Sequence, residues 1–242
     1  MFDGLLKFQQ TFFDFHLIAH VLPSLLRTGL PNTILLAVFA SLIGLALGLL
    51  IAICLLSHYR WLHPVCRWYI DILRGLPHIL TIYVVGQGLP LARLALFGNN
   101  TYAYAALAIG LIESAYMAEI LRAGLQSVDK GQVQAARSLG MSSAQALRYI
   151  VLPQGIRRVL PPLTGQFILV IKGTALVFLL GLTSGQRELF SIAQDSAVNN
   201  ANLSPLTAAG LIYLALTIPM TRIVNAWERR IGASSRSLQA DA

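Results

Sequence analysis

The sequence predicts an all-α, polytopic membrane protein with about five transmembrane helices. Three observations carry that prediction. Hydrophobic residues make up 56% of the chain and charged residues only 12%, with a mean hydropathy of +0.66, whereas ordinary globular domains are about 25% charged. The stretch from Thr33 to Leu56 holds no charged residue. A long polar interval, residues 132–153, stands out between apolar segments. The formal net charge of +8 does not mark a nucleic-acid binder, because the basic residues lie between apolar runs, where they orient membrane helices.

Residues 1–27 mix Phe8, Phe12, Phe13 and Phe15 with Asp3, Lys7 and Asp14. That is too polar to span and too apolar for a free tail, so an interfacial helix is expected. It does not read as a removable signal peptide, since no basic stretch leads an apolar core to a small-residue cleavage site. Asp14, His16 and His20 lack a fourth ligand and read as interfacial polar residues. Thr33 to Leu56, about 36 Å long as a helix, is the first span. Its Ala40, Gly44, Gly48 and Ala52 recur every fourth residue and leave a groove for a helix of this chain or of a second one.

The second span, approximately Trp68 to Leu89, is expected to be broken, because Gly75 and Pro77 fall in its first third and Gly86, Gly88 and Pro90 close it. Thr101 to Gly124 is the third, with Glu113 near its midpoint and Glu119 and Arg122 spaced as a helical ion pair. A fourth span runs to about Leu182 with Lys172 at its middle, and a last runs from Leu206 to about Ala226. A lysine ten residues from either end of a span needs a partner or a watery cavity. The two readings are a buried pair with Glu113 and a ligand contact. The tail from Gly232 to Ala242 is small and polar, and disorder is expected there. Cys54 lies in an apolar run and Cys66 in a loop expected on the cytoplasmic side, so no disulfide is expected.

The polar interval predicts two short helices. Ala135 and Ala136 open the first, which stops at Gly140, a residue able to take the positive φ of a turn. Ser142 and Gln145 read as a capping box for the second, and Pro153 is expected to end it. Such a knob suits a groove on another protein. With the knob and C-terminus inside and the N-terminus outside, eleven basic residues fall on the cytoplasmic side against four outside, which obeys the positive-inside rule. There is no Gly-x4-Gly-Lys-Ser/Thr phosphate loop, nucleophile elbow or HExxH pair, so the chain carries no visible catalytic apparatus.

The spacing Ala135-Ala136, Gly140, Ile150-x-Leu152-Pro153 resembles the EAA loop of ABC importer permeases, with Gln134 where the glutamate usually stands. Three further stretches resemble the polar amino acid branch of that family. These are Arg74-Gly75-Leu76-Pro77, beside Arg-Gly-Thr-Pro; Ala115-Tyr116-x-x-Glu119-x-x-Arg122; and Lys172, Thr174 and Leu176 of a Lys-Asp-Thr-Ser-Leu-like signature. Gly165, Gly173 and Ala175 depart from it and remove polar side chains. The resemblance spans about residues 28–231, taken as the transmembrane domain, and implies a multi-pass permease of a bacterial inner membrane.

Its implied partners are an ABC ATPase dimer, which alone holds ATP and Mg, a second permease chain, identical or homologous, and an extracytoplasmic substrate-binding protein that delivers a polar amino acid or related zwitterion. Gln134, Ala135, Ala136, Gly140, Met141, Ser142 and Leu147 are the residues expected to engage the ATPase. The expected substrate cavity uses Lys172 and Arg74 for a carboxylate and Glu113 for an amino group, with Thr174, Tyr83 and Tyr116 beside them. The competing reading is a self-sufficient secondary carrier or channel with Glu113 and Lys172 as an ion relay. Such a carrier has no need of a cytoplasmic knob.

Overall fold

A computed structural model describes residues 2–94 and 96–240, and among these every regular element is helical. Helix α1 (Phe2–Phe12) is amphipathic, exposed from Asp3 to Gln10 and half-buried at Thr11 and Phe12. Helix α2 (Phe15–Ser24) starts where the Asp14 carboxylate accepts from the His16 and Leu17 amides at 3.0 and 3.1 Å. It runs through a π-turn, Leu25–Gly29, directly into α3 (Leu30–Leu56). The second half of the segment expected to lie at the interface is therefore an extension of the first span. Val21 and Leu25 are buried against Leu189, Ala193, Ala208 and Ala209, which supplies the apolar contact that interfacial placement would have sought in lipid.

The second span is broken, as its glycine and proline content predicts. Amphipathic α4 (Leu62–Gly75) stops at Leu76, whose backbone is extended, the conformation forced on a residue before proline. After Pro77 the chain resumes as the apolar rod His78–Leu91, made of α5 (His78–Tyr83), a π-turn and α6 (Leu89–Leu91). Among the described residues four helical stretches are long and apolar enough to cross a membrane: Asp3–Leu56, Thr101–Gln126, Ser143–Leu180 and Ser204–Trp227. His78–Leu91 is shorter.

Helix α7 (Thr101–Gln126) is the most buried. It lies along α3, and the small-residue stripe makes this possible. A Cβ on Gly44 would lie 2.9 Å from the Cβ of Glu113, and one on Gly48 would lie 3.0 Å from the Ser114 carbonyl. Gly44 meets residues 110 and 113 while Gly48 meets 114 and 118, so the two helices run parallel. Ala40, Gly44, Gly48 and Ala52 are all buried, and the stripe serves packing within the chain.

The knob forms as α8 (Lys130–Ser138) and α9 (Ser143–Ala146), joined at Gly140 with φ +89°. Both halves of the Ser142–Gln145 capping box are present, at 2.7 and 3.2 Å. Pro153 does not end the helix. Leu147–Val151 forms a π-turn in which the Leu152 amide donates to the Leu147 carbonyl, and this wider turn accommodates the proline that a regular turn would reject. The chain continues as α10 (Leu152–Gly173) and a 3-10 turn to Leu180. Gly124 packs on Val159 and Gly155 on Leu125, which sets the start of α10 against the end of α7.

After Gly181 comes α11 (Leu189–Asn199), whose N-cap Glu188 is fully buried. Its carboxylate accepts from the Phe190 and Ser191 amides and the Ser191 hydroxyl at 2.6 Å each, and from the Tyr213 hydroxyl at 3.2 Å. Helix α12 (Ser204–Ala240) contains Pro219 and continues through residues 232–240, where the composition suggests disorder. No proline follows Pro219, and alanine, leucine, arginine and glutamine in that segment all favour helix. Residues 241–242 of the expected tail lie outside the described residues.

Candidate substrate cleft and coupling knob

Between α5, α7 and α10 lies a cleft of about 330 Å³, at the small end of ligand cavities. Its polar lining is His78, Glu113, Tyr116 and Gln166, and its apolar walls include Ile82, Ile109 and Leu169. Glu113 is 5% exposed. The Gln166 amide donates to its Oε2 at 2.6 Å, while Oε1 has no donor among the described residues. A carboxylate set in an apolar helix is costly unless it is paired or serves a ligand. Here the pairing is half complete.

Tyr116 organises the other side. The Arg74 guanidinium sits over its ring, 5.2 Å from the centroid, and His78 meets the same ring edge-on at 5.9 Å. His78 Nε2 stands 3.5 Å from the Tyr116 hydroxyl. The break at Pro77 makes this possible by turning the chain between Arg74 and His78, so that both address one aromatic ring.

Of the residues predicted from sequence, Glu113 and Tyr116 line the cleft and Arg74 stacks on its wall. Lys172 does neither. It is exposed, and neither ion pair among the described residues includes it or Glu113. Helix geometry explains the separation: Gln166, Leu169 and Gly173 recur at i, i+3 and i+7 on the cleft face, and Lys172 lies about 100° around the helix from Gly173 and about 60° beyond Leu169, past the edge of that face. Thr174 is fully buried and donates to the Ile171 carbonyl at 2.7 Å, and Tyr83 lies outside the cleft, 38% exposed. Glu119 and Arg122 form the expected ion pair at 2.6 Å.

His78 and Gln166 were not legible as site residues. The available signal was weak: a lone amide in an apolar run, seven residues before a glycine, and a histidine just after the proline that breaks a span.

On the knob, Gln134, Ala135, Gly140, Ser142 and Leu147 are exposed, Met141 is half-buried and Ala136 is buried. Leu139, at the tip beside Gly140, is 83% exposed, and Tyr149 is 60% exposed. These exposed apolar side chains make the tip of the knob a candidate docking feature. The knob is tied to the membrane helices. Arg158 of α10 donates to the Ser127 carbonyl and, at 3.1 Å, to its hydroxyl, and Gln154 donates to Gln132 at 2.7 Å.

Residues 44–233 match the family described as the binding-protein-dependent transport system inner membrane component. The chain is similar to the arginine transport system permease protein ArtQ of Bacillus subtilis (strain 168), 33% identical over 218 residues, which is 90% of this chain and 97% of that protein. It is also similar to the probable glutamine ABC transporter permease protein GlnM of the same organism, 34% identical over 87% of this chain and 95% of that one. The solved structure of an amino acid ABC transporter with histidines superposes with a TM-score of 0.75 at 30% identity, covering 95% of this chain and 98% of that one. The inward-facing MetNI methionine ABC transporter shares the fold, with a TM-score of 0.66 at 18% identity over 86% of this chain and 95% of that one. This chain belongs to the family of binding-protein-dependent transport system inner membrane components.

Proposed function

We propose that the chain is the permease subunit of an ATP-driven amino acid importer and that the cleft between α5, α7 and α10 is where the substrate passes. The observation that carries this reading is Glu113, a buried carboxylate with one partnered and one free oxygen on a cavity sized for a single small solute. Among the described residues no lysine or arginine shares the cavity lining, since Arg74 lies over the Tyr116 ring and Lys172 is outside. A lone carboxylate there favours an ammonium or guanidinium group over a second anion. The substrate is therefore a polar amino acid that presents a cationic group to Glu113, with its apolar part against Ile82, Ile109 and Leu169.

ATP and Mg belong to a separate ATPase dimer, which grips the knob at Leu139, Gly140, Met141 and Leu147. A second permease chain and an extracytoplasmic binding protein complete the importer. The knob lies in the cytoplasm of the cell, with the N-terminus outside and the C-terminus inside, in a bacterial inner membrane. ATPase closure pushes the knob, and the Ser127–Arg158 and Gln132–Gln154 contacts pass that movement to α7 and α10, which line the cleft. A self-sufficient carrier using Glu113 and Lys172 as a relay is disfavoured by their separation, because an exposed lysine outside the cleft cannot hand a proton to Glu113 directly.

The test is uptake of labelled amino acids by vesicles containing the whole complex, comparing wild type with Glu113→Gln. The reading expects uptake to fall at least tenfold while ATPase assembly is kept. Unchanged uptake across basic and neutral amino acids would refute it.

A further inference from the structure

Helix α4 and the turn before it carry three distinct faces. Ile70 is buried and Tyr69 and Leu73 pack with it against α7. Arg60, His63, Arg67 and Asp71 form a second, polar face along an open groove of about 470 Å³ that also includes Trp68. The third face is apolar yet exposed: Trp61 71%, Val65 65%, Trp68 71% and Ile72 51%. These four recur at i, i+4, i+7 and i+11, so they form one stripe.

The place of the stripe in the membrane follows from packing. Only residues 57–61 separate the end of the first span at Leu56 from the start of α4 at Leu62. Because α3 and α7 run parallel, this turn lies at the same end of the bundle as the knob. Tryptophan is favoured where apolar chains meet headgroups, so the stripe dips into the bilayer while the polar face stays at headgroup level. Neither Arg60 nor Arg67 has a carboxylate within 4 Å among the described residues, since the two ion pairs there join Arg122 to Glu119 and Arg187 to Asp195.

We infer that the groove between Arg60 and Arg67 holds the headgroup of an anionic phospholipid, with its acyl chains along Trp61, Val65, Trp68 and Ile72. The charge complementarity is direct: a phosphodiester placed there meets two unpaired guanidiniums, with His63 between them. Arg67 and His63 also line the neighbouring cavity that contains Glu119 and Arg122 near the knob end of α7. The lipid therefore reaches the helix that carries Glu113 only through His63 and Arg67, which face both cavities, and by that route lipid composition becomes an input to transport.

The experiment uses the intact permease–ATPase complex in bilayers of phosphatidylcholine doped with spin-labelled phosphatidylglycerol or spin-labelled phosphatidylcholine, reading the motionally restricted fraction of each. Wild type is expected to restrict phosphatidylglycerol preferentially. Arg60→Gln with Arg67→Gln should reduce that preference roughly fivefold for each arginine removed. Arg60→Lys with Arg67→Lys should retain most of it and guards against misfolding of the glutamine pair. Lys130→Gln, on the exposed knob, should leave it unchanged. The inference is overturned if wild type shows no preference, if the glutamine pair keeps it, if Lys130→Gln removes it equally, or if inorganic phosphate displaces the restricted lipid.

Discussion

Gly44 of α3 backs Glu113 of α7 so closely that a Cβ added to the glycine would stand 2.9 Å from the Cβ of the acid. The packing of the two longest-shared helices and the placing of the cleft carboxylate are thus one feature. Gly44→Val should destabilise the protein by about 1–3 kcal/mol through overpacking and lower uptake by displacing Glu113. Gly165→Ala, where nothing lies within 4 Å, should be neutral or slightly stabilising. Thermal unfolding in detergent together with vesicle uptake measures both.

Among the described residues Gln166 donates the single hydrogen bond to the Glu113 carboxylate. Gln166→Leu leaves the carboxylate without it, at an expected cost of about 1–3 kcal/mol. Uptake should suffer more than stability does, because the carboxyl is free to turn within the cleft. Gln166→Glu is the sharper probe: it sets two acids face to face and should increase the preference for doubly cationic amino acids over neutral ones in competition assays.

Lys172 is exposed and off the cleft face of α10. Lys172→Met should leave the KM for substrate unchanged. A large rise in KM on that substitution would mean that the lysine reaches the substrate in a state other than the one described.

Burial of Glu188 beneath α11 pushes its carboxyl above the ordinary 4.5, against the opposing effect of hydrogen bonds from Ser191, Phe190 and Tyr213. A carboxyl raised in the folded state contributes its stability fully below its unfolded pKa and loses it as pH rises through the folded one. Stability should therefore decline as pH is raised from about 4.5 through the folded value. Glu188→Gln should flatten that decline, measured as the midpoint of thermal unfolding against pH.

The fold was legible where local chemistry and membrane solvation agree. The charge-free first span, the break at Gly75–Pro77 and the Gly140 turn with its Ser142–Gln145 box each follow from a few neighbouring residues. The reading of Pro153 as a helix end failed because a proline's effect depends on the turn before it, and nothing in the sequence announces that Leu147–Val151 widens into a π-turn. The site was half legible. Glu113 stands out as an acid in an apolar helix, and so does Lys172, but which faces of α7 and α10 turn toward each other is decided by contacts such as Gly124 on Val159. That rotation gives Glu113 an amide partner and leaves the lysine outside.

The central claim is that a separate ATPase moves this chain by its knob, and Leu139, 83% exposed at the tip, reports on it most directly. A Leu139→Cys variant carrying a short photo-crosslinker, irradiated in the intact membrane, should join to a nucleotide-hydrolysing subunit, with the yield changing when ATP is added. No adduct with such a subunit, or labelling of that cysteine by a membrane-impermeant reagent applied to the outer face of cells, would contradict the account.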